Sequence, residues 1–289
     1  MPKHLLLDGY NLVFRSFYAM PDTLTRSDGL PTGAIHGFFS SVWHVISAEK
    51  PDCAVMFFDL GGASRQKALL PEYKANRAAM PDALRRQIPY IKKLARLMGL
   101  GAVEKEGVEA DDLIATFAKR FSESGGEVRI VSADKDLGQC VAMTGVTQLT
   151  PPATSGANGE WRVLDEAGVE AKFGVKPSRI PDYLALVGDT ADNIPGISGV
   201  GPKTAAAWIN RFGDLAGVID NCGDIKPARF QKIVYENREL LRRNLKMTRL
   251  DFNVEDVDAD CPPRDLAGLR ALLMELEMKR ALETVGSGM

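Results

Sequence analysis

Three short apolar runs, each followed by an aspartate, constrain the fold of this chain more than any other feature. The runs cover residues 4–7, 54–58 and 128–131, and they have the length and composition of buried β-strands. Asp8 and Asp59 follow the first two runs directly, and Asp134 follows the third after two residues. In an open parallel α/β sheet, ligands bind at the carboxyl ends of the strands. The pattern therefore predicts an α/β fold with a mainly parallel central sheet flanked by helices, and an acidic crevice at one edge.

More acids lie where a helix is expected to begin. Glu109, Asp111 and Asp112 precede apolar residues that recur at helical spacing. Such acids can cap a helix and interact with its positive N-terminal end. Three of them in four residues repel one another, however, unless they face solvent or surround a cation. With two further acidic motifs included, the candidate metal ligands are Asp8, Asp59, Glu109, Asp111, Asp112, Asp134, Asp136, Asp189 and Asp192.

The composition is that of a soluble globular protein. The chain has 289 residues, of which 45% are hydrophobic, so it can form one large domain or two modest ones. It has no basic-then-apolar leader and no apolar run near the roughly 18 residues that span a membrane, so we expect a cytoplasmic protein without membrane contact. The four cysteines lack CxxC spacing and there are only three histidines. We therefore expect no zinc site, and ordinary packing or exposure for these side chains.

The net charge of −2 hides an uneven distribution of charge. If metal ions neutralised nine of the 38 acids, the 36 lysines and arginines would exceed the remaining 29 acids by seven. The cations are concentrated in residues 65–96 and 226–249. An acidic crevice flanked by basic segments suits a polyanion that is held by its phosphates and cut at a metal.

The predicted elements change in kind along the chain. In the first half strands alternate with helices, among them helices over 34–48 and 82–98, and residues 151–159 form a turn or mobile loop. From residue 165 onward the pattern is almost entirely helical. The helices predicted there cover 165–173, 177–187, 202–212, 214–220 and 227–245.

A glycine-rich turn precedes the helix predicted at residue 202. Its glycines should let the backbone turn tightly, and such a turn binds phosphate through exposed N–H groups. A Rossmann loop would follow a strand, and a Walker loop would have another glycine spacing. The pattern instead favours a helix-hairpin-helix that holds a DNA backbone without reading bases. The residues expected to contact the backbone are Gly196, Gly199, Gly201, Lys203 and Thr204.

The first basic segment contains an aromatic residue beside two cations, namely Tyr73 with Lys74 and Arg77. This combination can stack a base while it holds phosphates. Tyr73 can equally be a packed residue without a role in binding, and the segment alone does not decide between the two.

Taken together, these motifs resemble the 5′ nuclease, or flap endonuclease, family, and most closely the bacterial 5′→3′ exonuclease domain at the N-terminus of DNA polymerase I. They occur in family order over most of the chain. One departure is Gly61-Gly-Ala-Ser64, which replaces a longer basic stretch and leaves the role of Arg65 open. The matching motifs are Leu-Leu-Asp8-Gly, Phe-Arg15-Ser-Phe-Tyr-Ala-Met-Pro, Phe-Asp59, Tyr73-Lys74-Ala-Asn-Arg77, Gly-Val-Glu109-Ala-Asp111-Asp112, Ala-Asp134-Lys-Asp136-Leu and Gly-Asp189-Thr-Ala-Asp192-Asn-Ile-Pro-Gly.

The resemblance implies a PIN-like nuclease core over residues 1–188, with a helical arch at about 63–90. A helix-hairpin-helix DNA-binding region over 189–289 would pack on this core. One cluster of metal ligands would be Asp8, Asp59, Glu109 and Asp111, and the other Asp134, Asp136, Asp189 and Asp192, with Asp112 completing the helical motif. Catalytic roles would fall to Lys74, Arg77, Asp59 and Asp111, and DNA contacts to Arg15, Arg65, Tyr73, Lys74 and Arg77.

The expected activity is hydrolysis of DNA phosphodiesters near single-strand/duplex junctions, during replication and repair. The resemblance implies a monomer that removes 5′ flaps or RNA primers, with RNA/DNA hybrids as further substrates and K⁺ at the glycine-rich turn. The residues themselves point to the same chemistry, because oxygen-only ligands select Mg²⁺ or Mn²⁺ and two such ions can activate water and stabilise a leaving oxygen. An RNase of related architecture and a non-catalytic DNA-binding relative are the alternatives.

Overall fold

A six-stranded sheet forms the centre of the computed structural model, which describes residues 1–152 and 160–287. Most of the loop predicted over 151–159 lies outside the described residues. The strands are β1 (Lys3–Asp8), β2 (Cys53–Phe57), β3 (Gly101–Val103), β4 (Glu127–Val131), β5 (Val146–Thr150) and β6 (Arg162–Leu164). Their order is β3-β2-β1-β4-β5-β6, and every neighbouring pair is parallel except β5 with the edge strand β6. The predicted α/β fold class is confirmed.

The helices of the first half cover both faces of this sheet. They are α1 (Gly9–Ala19), α2 (Gly33–Glu49), α3 (Ser64–Leu69), α4 (Asp82–Arg85), α5 (Ile88–Leu97) and α6 (Ala110–Glu123). Leu5 and Leu7 of β1 pack in one core with α1, α2 and α5, whereas Leu6 packs in a second core with α6. This alternation follows from the two-residue side-chain period of a strand.

The helix predicted over 82–98 is broken in the structure into α4 and α5. Pro89 lies in the first turn of α5 and has no N–H to donate to the carbonyl of Arg85, so a continuous helix would lose a hydrogen bond there. Between α3 and α4, residues 71–81 form turns and extended chain. The segment predicted as a helical arch, about 63–90, is therefore helical only near its ends.

The second half adds eight helices and a two-stranded hairpin to the described residues. The helices are α7 (Glu166–Phe173), α8 (Ile180–Val187), α9 (Pro202–Phe212), α10 (Leu215–Asp220), α11 (Arg229–Glu236), α12 (Arg238–Thr248), α13 (Leu266–Glu275) and α14 (Lys279–Ser287), and the hairpin pairs β7 (Gly188–Asp189) with β8 (Ile194–Pro195). The single helix predicted over 227–245 is wrong, because the chain breaks at Asn237. There the backbone N–H of Asn237 makes the usual helical bond to the carbonyl of Ile233, and the Asn237 side chain donates to the same carbonyl, a local bond of the kind that competes with a regular helix.

The tail after α12 does not stay with the helical region. Val254 packs in the core beneath α6, and Leu269, Leu272 and Leu273 of α13 pack in the core with α2 and α5. The region predicted over 189–289 therefore contains two differently packed parts. Its helices up to α12 share a core with α7 and α8, while the tail completes the core of the sheet.

The tail is also joined to the sheet covalently. Cys53 of β2 forms a disulfide with Cys261, 208 residues away along the chain. The expectation that all four cysteines pack as ordinary residues is therefore wrong for this pair. The other two, Cys140 and Cys222, are free thiols.

None of the described helices has the length and the apolar character needed to cross a membrane.

Candidate active site

The acids predicted from the strand ends meet where the strand order reverses. β1 lies between β2 and β4 in the sheet, and such a switch point opens a crevice beyond the carboxyl ends of the strands. Asp8 Oδ2 accepts a hydrogen bond from Ser132 Oγ at 2.8 Å, which joins the ends of β1 and β4. Asp59 Oδ1 accepts one from Ala110 N at 2.8 Å, which joins the end of β2 to the first turn of α6.

The carboxylates of this crevice are buried or half-buried and act on one another. Burial raises the pKa of Asp8 to about 7, against the hydrogen bond from Ser132, and the charges of Asp134 and Asp59 raise it further. Burial likewise raises the pKa of Asp111 well above its usual value, with added repulsion from Asp134, Asp8 and Glu109. Such crowding disfavours the ionised forms unless a cation shares the site.

A second group of carboxylates lies beside the first. Asp136, Asp189 and Asp192 each direct one oxygen to a common region in which the three atoms lie within 4.8 Å of one another, so they could hold a metal ion. Asp136 Oδ1 is buried and has no hydrogen-bond partner among the described residues. Burial and the charge of Asp134 raise the pKa of Asp136 well above its usual value. Because Asp134 also acts on Asp8 and Asp111, it lies between the two groups.

Basic residues from the segment between α3 and α4 close over these acids. Lys74 forms an ion pair with Glu109, and Arg77 Nη2 lies 2.7 Å from Asp192 Oδ1. Lys74 has a φ of 56°, a left-handed conformation that costs free energy for a residue with a side chain. Its N–H donates to the carbonyl of Asp192 at 3.1 Å, so the strained turn is held against the second acidic group.

Comparison with known proteins identifies the fold and the family. A family model described as "5'-3' exonuclease, N-terminal resolvase-like domain" matches residues 3–174, and a second, "5'-3' exonuclease, C-terminal SAM fold", matches residues 175–268. The chain belongs to the 5′-3′ exonuclease family. The two models meet near residue 175, whereas the predicted division after residue 188 stays a prediction.

Individual members of the 5′-3′ exonuclease family differ in length. A 5′-3′ exonuclease of Aquifex aeolicus is 40% identical over 281 residues, which are 97% of this chain and 94% of that protein. DNA polymerase I of Rhizobium leguminosarum is 35% identical over 263 residues, which are 88% of this chain and 25% of the polymerase. Among solved structures, the D15 protein of bacteriophage T5, co-crystallised with metal ions, has a TM-score of 0.67 and 20% identity over 99% of both chains. That likeness shows a shared fold.

The sequence left two roles open for Tyr73, stacking on a base or packing within the protein, and in the structure Tyr73 is packed. The Tyr73 side chain is only 5% exposed and packs with Leu70, Ile194 and Met247. Its hydroxyl has one hydrogen to donate and lies 2.7 Å from Asp192 Oδ2 and 3.0 Å from Glu109 Oε2, within hydrogen-bond distance of both. The ring is therefore not available to stack on a base in this structure, and the hydroxyl links an acid of each group.

Asp112 also departs from the predicted set. Its carboxylate accepts two hydrogen bonds from Arg65 Nη2, at 3.1 and 3.2 Å, and another from Asp251 N at 2.8 Å. Successive residues of a helix point about 100° apart, and this rotation directs Asp112 away from the crevice that Asp111 enters. We therefore leave Asp112 out of the proposed metal ligands. Arg65, which was expected to contact DNA, forms an ion pair with Asp112 in this structure.

The glycine-rich turn needs its glycines for different reasons. Gly199 has a φ of 80°, which disfavours any residue with a Cβ, and a Cβ on Gly196 would collide with the carbonyl of Val187. Gly201 has a φ of −95° and open space where a Cβ would lie, so the expectation that the tight turn requires it is wrong. Thr204 follows in α9, whose first turn has no side-chain cap, and Lys203 is exposed.

Several residues of the site were not anticipated. Ser132 orients Asp8, Asn11 Oδ1 accepts from Ala133 N at 3.2 Å, and Lys135 Nζ lies 3.0 Å from Asp189 Oδ2. Each stands within or next to a recognised motif, which is the only signal that points to them. Arg15, expected to contact DNA, lies on α1, half-buried and without an ion pair to any described residue.

Proposed function

We propose that this chain hydrolyses phosphodiester bonds of DNA near 5′ single-strand/duplex junctions, as a 5′→3′ exonuclease and flap endonuclease in replication and repair. The observation that carries the proposal is the convergence of buried and half-buried carboxylates from β1, the ends of β2 and β4, α6 and the β7–β8 hairpin under two cations, Lys74 and Arg77. Membership of the 5′-3′ exonuclease family supports the same activity. The carboxylates could bind metal ions, and the two cations could stabilise the negative charge of the phosphate that is cut.

The donor set fits Mg²⁺ or Mn²⁺. All candidate ligands are carboxylate oxygens, and Asp136 Oδ1 is buried without a hydrogen-bond donor, which suits a bound hard cation. We assign one ion to Asp8, Asp59, Glu109 and Asp111 and another to Asp134, Asp136, Asp189 and Asp192. When bound, such ions lower the pKa of a water and stabilise charge on the leaving oxygen. The T5 protein, which shares the fold, was co-crystallised with metal ions, and this supports a metal-dependent site in general.

The protein's own residues prepare the site. Ser132 and the N–H of Asn11 hold the Asp8 carboxylate by hydrogen bonds, and the N–H of Ala110 holds Asp59. Lys74 and Arg77 now pair with Glu109 and Asp192. A bound phosphate would offer these two cations an alternative anionic partner at the same place, so they can stabilise the charge that grows on it during cleavage.

The glycine-rich turn would bind the duplex part of the DNA at a distance from the site of hydrolysis. At the start of α9, Pro202 has no N–H, and the N–H groups of Thr204 and Ala205 donate to the carbonyl of Gly201. The backbone N–H groups of Gly201 and Lys203, with the Lys203 and Thr204 side chains, are therefore the donors that we propose for a phosphate, and K⁺ at this turn is part of the proposal. Arg15 is a further candidate for a DNA contact. We propose that the protein acts as a monomer in the cytoplasm, where bacterial DNA lies, and accepts RNA/DNA hybrids.

The two alternatives make different demands on the structure. A non-catalytic DNA-binding relative would not need two groups of buried carboxylates. An RNase of related architecture would need the acids but no helix-hairpin-helix. The chain spans about a quarter to a third of the DNA polymerase I relatives it matches, so any activity coupled to a polymerase would be a separate proposal.

A substrate panel tests the proposed function. End-labelled 5′-flap, nicked, blunt and RNA/DNA substrates are incubated with the protein and Mg²⁺, and Asp111→Asn serves as the matched inactive variant. We expect cleavage near the junction of the flap substrate that depends on Mg²⁺ and is lost in the variant. Cleavage of RNA alone would favour the RNase, and binding without cleavage would favour the non-catalytic relative.

A metal titration tests the ligand assignment independently of activity. Calorimetry with Mn²⁺ should detect at least one site, and the double variant Asp59→Asn/Asp111→Asn should weaken it because two charges leave a crowded anionic cluster. Asp112→Asn is the matched control, since Asp112 pairs with Arg65. Equal affinity of wild type and the double variant would contradict the assignment.

A further inference from the structure

A basic groove lies on the side of α6 that faces away from the acidic crevice. It has a volume of about 800 Å³ and runs between α3 and α12, and we call it the α3–α12 groove. Its cations are Arg65, Arg242, Arg243, Lys246 and Arg249, and its acids are Glu239 and Asp251. The groove therefore carries an excess of positive charge.

Most of this charge is not compensated within the protein. Among the described residues, Arg243, Lys246 and Arg249 form no ion pair with a carboxylate, whereas Arg242 pairs with Glu239. The Nε of Arg243 is buried and has no hydrogen-bond partner among the described residues. The evidence for an anionic ligand is therefore the exposed part of the groove, where Lys246 and Arg249 have no carboxylate partner among the described residues.

The groove also offers apolar surface between its cations. Leu69, Leu245 and Leu250 line it and are half-buried. A duplex would present mainly phosphates to such a surface, whereas a single strand also presents unpaired bases and sugars that can cover apolar side chains. The combination of cations and leucines therefore favours a single-stranded nucleic acid.

Arg65 connects the groove to the active site. It pairs with Asp112 of α6 and donates to the carbonyls of Arg249 and Lys246 of the opposite wall. Asp111, the preceding residue, belongs to the acidic crevice. The crevice and the groove are thus separated by about one helix diameter, on the order of 10–12 Å, which a short length of single strand can cross.

We propose that the α3–α12 groove binds the displaced single strand on the 5′ side of the phosphate that is cut. This inference rests on the proposed function, and it adds a second strand-binding track to it. The cations hold the phosphates of that strand and the leucines contact its bases, without a requirement for sequence. The groove then contributes affinity only when a substrate carries an unpaired 5′ strand long enough to reach it.

The test compares two substrates that have the same duplex and differ in the length of the 5′ flap. One flap has about 15 nucleotides, which is within the range of site sizes of single-strand binding folds, and the other has about 2, which is below that range. Single-turnover cleavage with Mg²⁺ is measured against protein concentration for wild type and Arg243→Glu/Lys246→Glu. The control double variant, Lys279→Glu/Arg280→Glu, makes the same charge change at two exposed positions of α14, outside the groove. Lys246→Glu alone, at an exposed position, and circular dichroism of all variants exclude misfolding as the cause.

For the long flap, we expect the groove variant to raise the half-saturating protein concentration by about tenfold or more, with the maximal rate unchanged. The slope of the logarithm of its affinity against the logarithm of the salt concentration should be shallower by about 1.4. Each lost contact to a single-strand phosphate reduces this slope by about 0.7. The short-flap substrate and the control variant should behave like wild type.

An equal loss with both flap lengths would overturn the inference and assign the groove to duplex binding. No loss with either would make it an ordinary basic surface. If the wild-type protein cleaves neither substrate, the proposed function is contradicted. The groove is then tested by direct binding of a labelled 15-nucleotide single strand, for which the groove variant must have a lower affinity than wild type.

Discussion

The Arg77 guanidinium could pair with either of two anions, the carboxylate of Asp192 or the phosphate that is cut. It lies on the exposed side of the site and pairs with Asp192, a proposed metal ligand. If it moves to the phosphate that is cut, its charge matters for the rate, and if it only holds DNA, its charge matters for affinity.

We expect Arg77→Ala to lower single-turnover cleavage of a 5′-flap substrate, at saturating protein, by on the order of 10² or more, as when one charge-stabilising donor is removed. Arg242→Ala, which removes a cation from the surface of α12, should be largely rescued by higher protein concentration. If saturating protein also restores Arg77→Ala, Arg77 is a tether.

Tyr73 is the second residue whose role depends on its contacts. Its hydroxyl satisfies oxygens of Glu109 and Asp192, both of which are buried. Tyr73→Phe should lower the free energy of unfolding of the metal-free protein by about 1–3 kcal/mol, because buried acceptors lose their donor. Urea denaturation measures this change. Tyr183→Phe is the matched control, since the Tyr183 ring is also buried but its hydroxyl has no hydrogen bond to the described residues.

The same measurement with Mn²⁺ separates two explanations for Tyr73. The destabilisation should shrink when metal is bound, because the ion satisfies the same oxygens. A loss that is equal with and without Mn²⁺ would indicate a packing role unrelated to the metal ligands.

At the scale of elements, local sequence signals located the helices better than their breaks. The helix predicted over 202–212 is α9 with the same bounds, because Pro202 and Gly213 mark its two ends. The breaks at Pro89 and Asn237 divide helices that hydrophobic periodicity alone would continue. The glycine-rich turn before α9 shows the same limit, since its three glycines are alike in sequence but not in conformation.

Gly201 therefore allows a test of the turn that leaves its fold intact. A Cβ added at Gly201 meets no neighbouring atom within 4 Å, so Gly201→Val should leave the melting temperature nearly unchanged. It should weaken duplex binding by about tenfold, the effect of losing roughly one hydrogen bond to a charged phosphate. Fluorescence anisotropy with a labelled duplex measures this.

Gly199→Val is the comparison for the turn. Its positive φ makes valine unfavourable, so it should lower both the melting temperature and the affinity for duplex. If Gly201→Val binds duplex as wild type does, DNA does not approach this part of the turn.

At the scale of the whole molecule, the tail and the sheet form one core. Leu272 of α13 is 1% exposed and packs with residues of β1, α2 and α5. The cysteine pair Cys53–Cys261 joins the same two parts. The structure therefore places the tail with the nuclease core, although it follows the helical region in sequence.

Leu272→Ala should lower the free energy of unfolding by about 2–5 kcal/mol, the usual result of removing a large side chain from a core. Met274→Ala on the same helix is the control, because Met274 is 64% exposed and surface substitutions usually change stability by less than about 0.5 kcal/mol. An unchanged urea midpoint for Leu272→Ala would show that α13 packs only loosely on the sheet.

The amino-acid sequence alone determined the fold class and most of the acidic site, because both depend on local patterns. A short apolar run predicts a strand, and the acids after parallel strands must meet at one edge of the sheet. Asp8, Asp59 and Asp134 could therefore be placed together without a structure.

Only the tertiary structure decided which neighbouring side chain enters the crevice and which packs elsewhere. Helical rotation already separates the adjacent residues Asp111 and Asp112, but the packing of α6 decides which of them enters the crevice. Asp112 instead meets Arg65 and the N–H of Asp251, 139 residues away. Tyr73 reaches Asp192 across 119 residues. Such contacts are set by how distant segments pack against one another, and no periodicity or spacing within a short window of sequence encodes them.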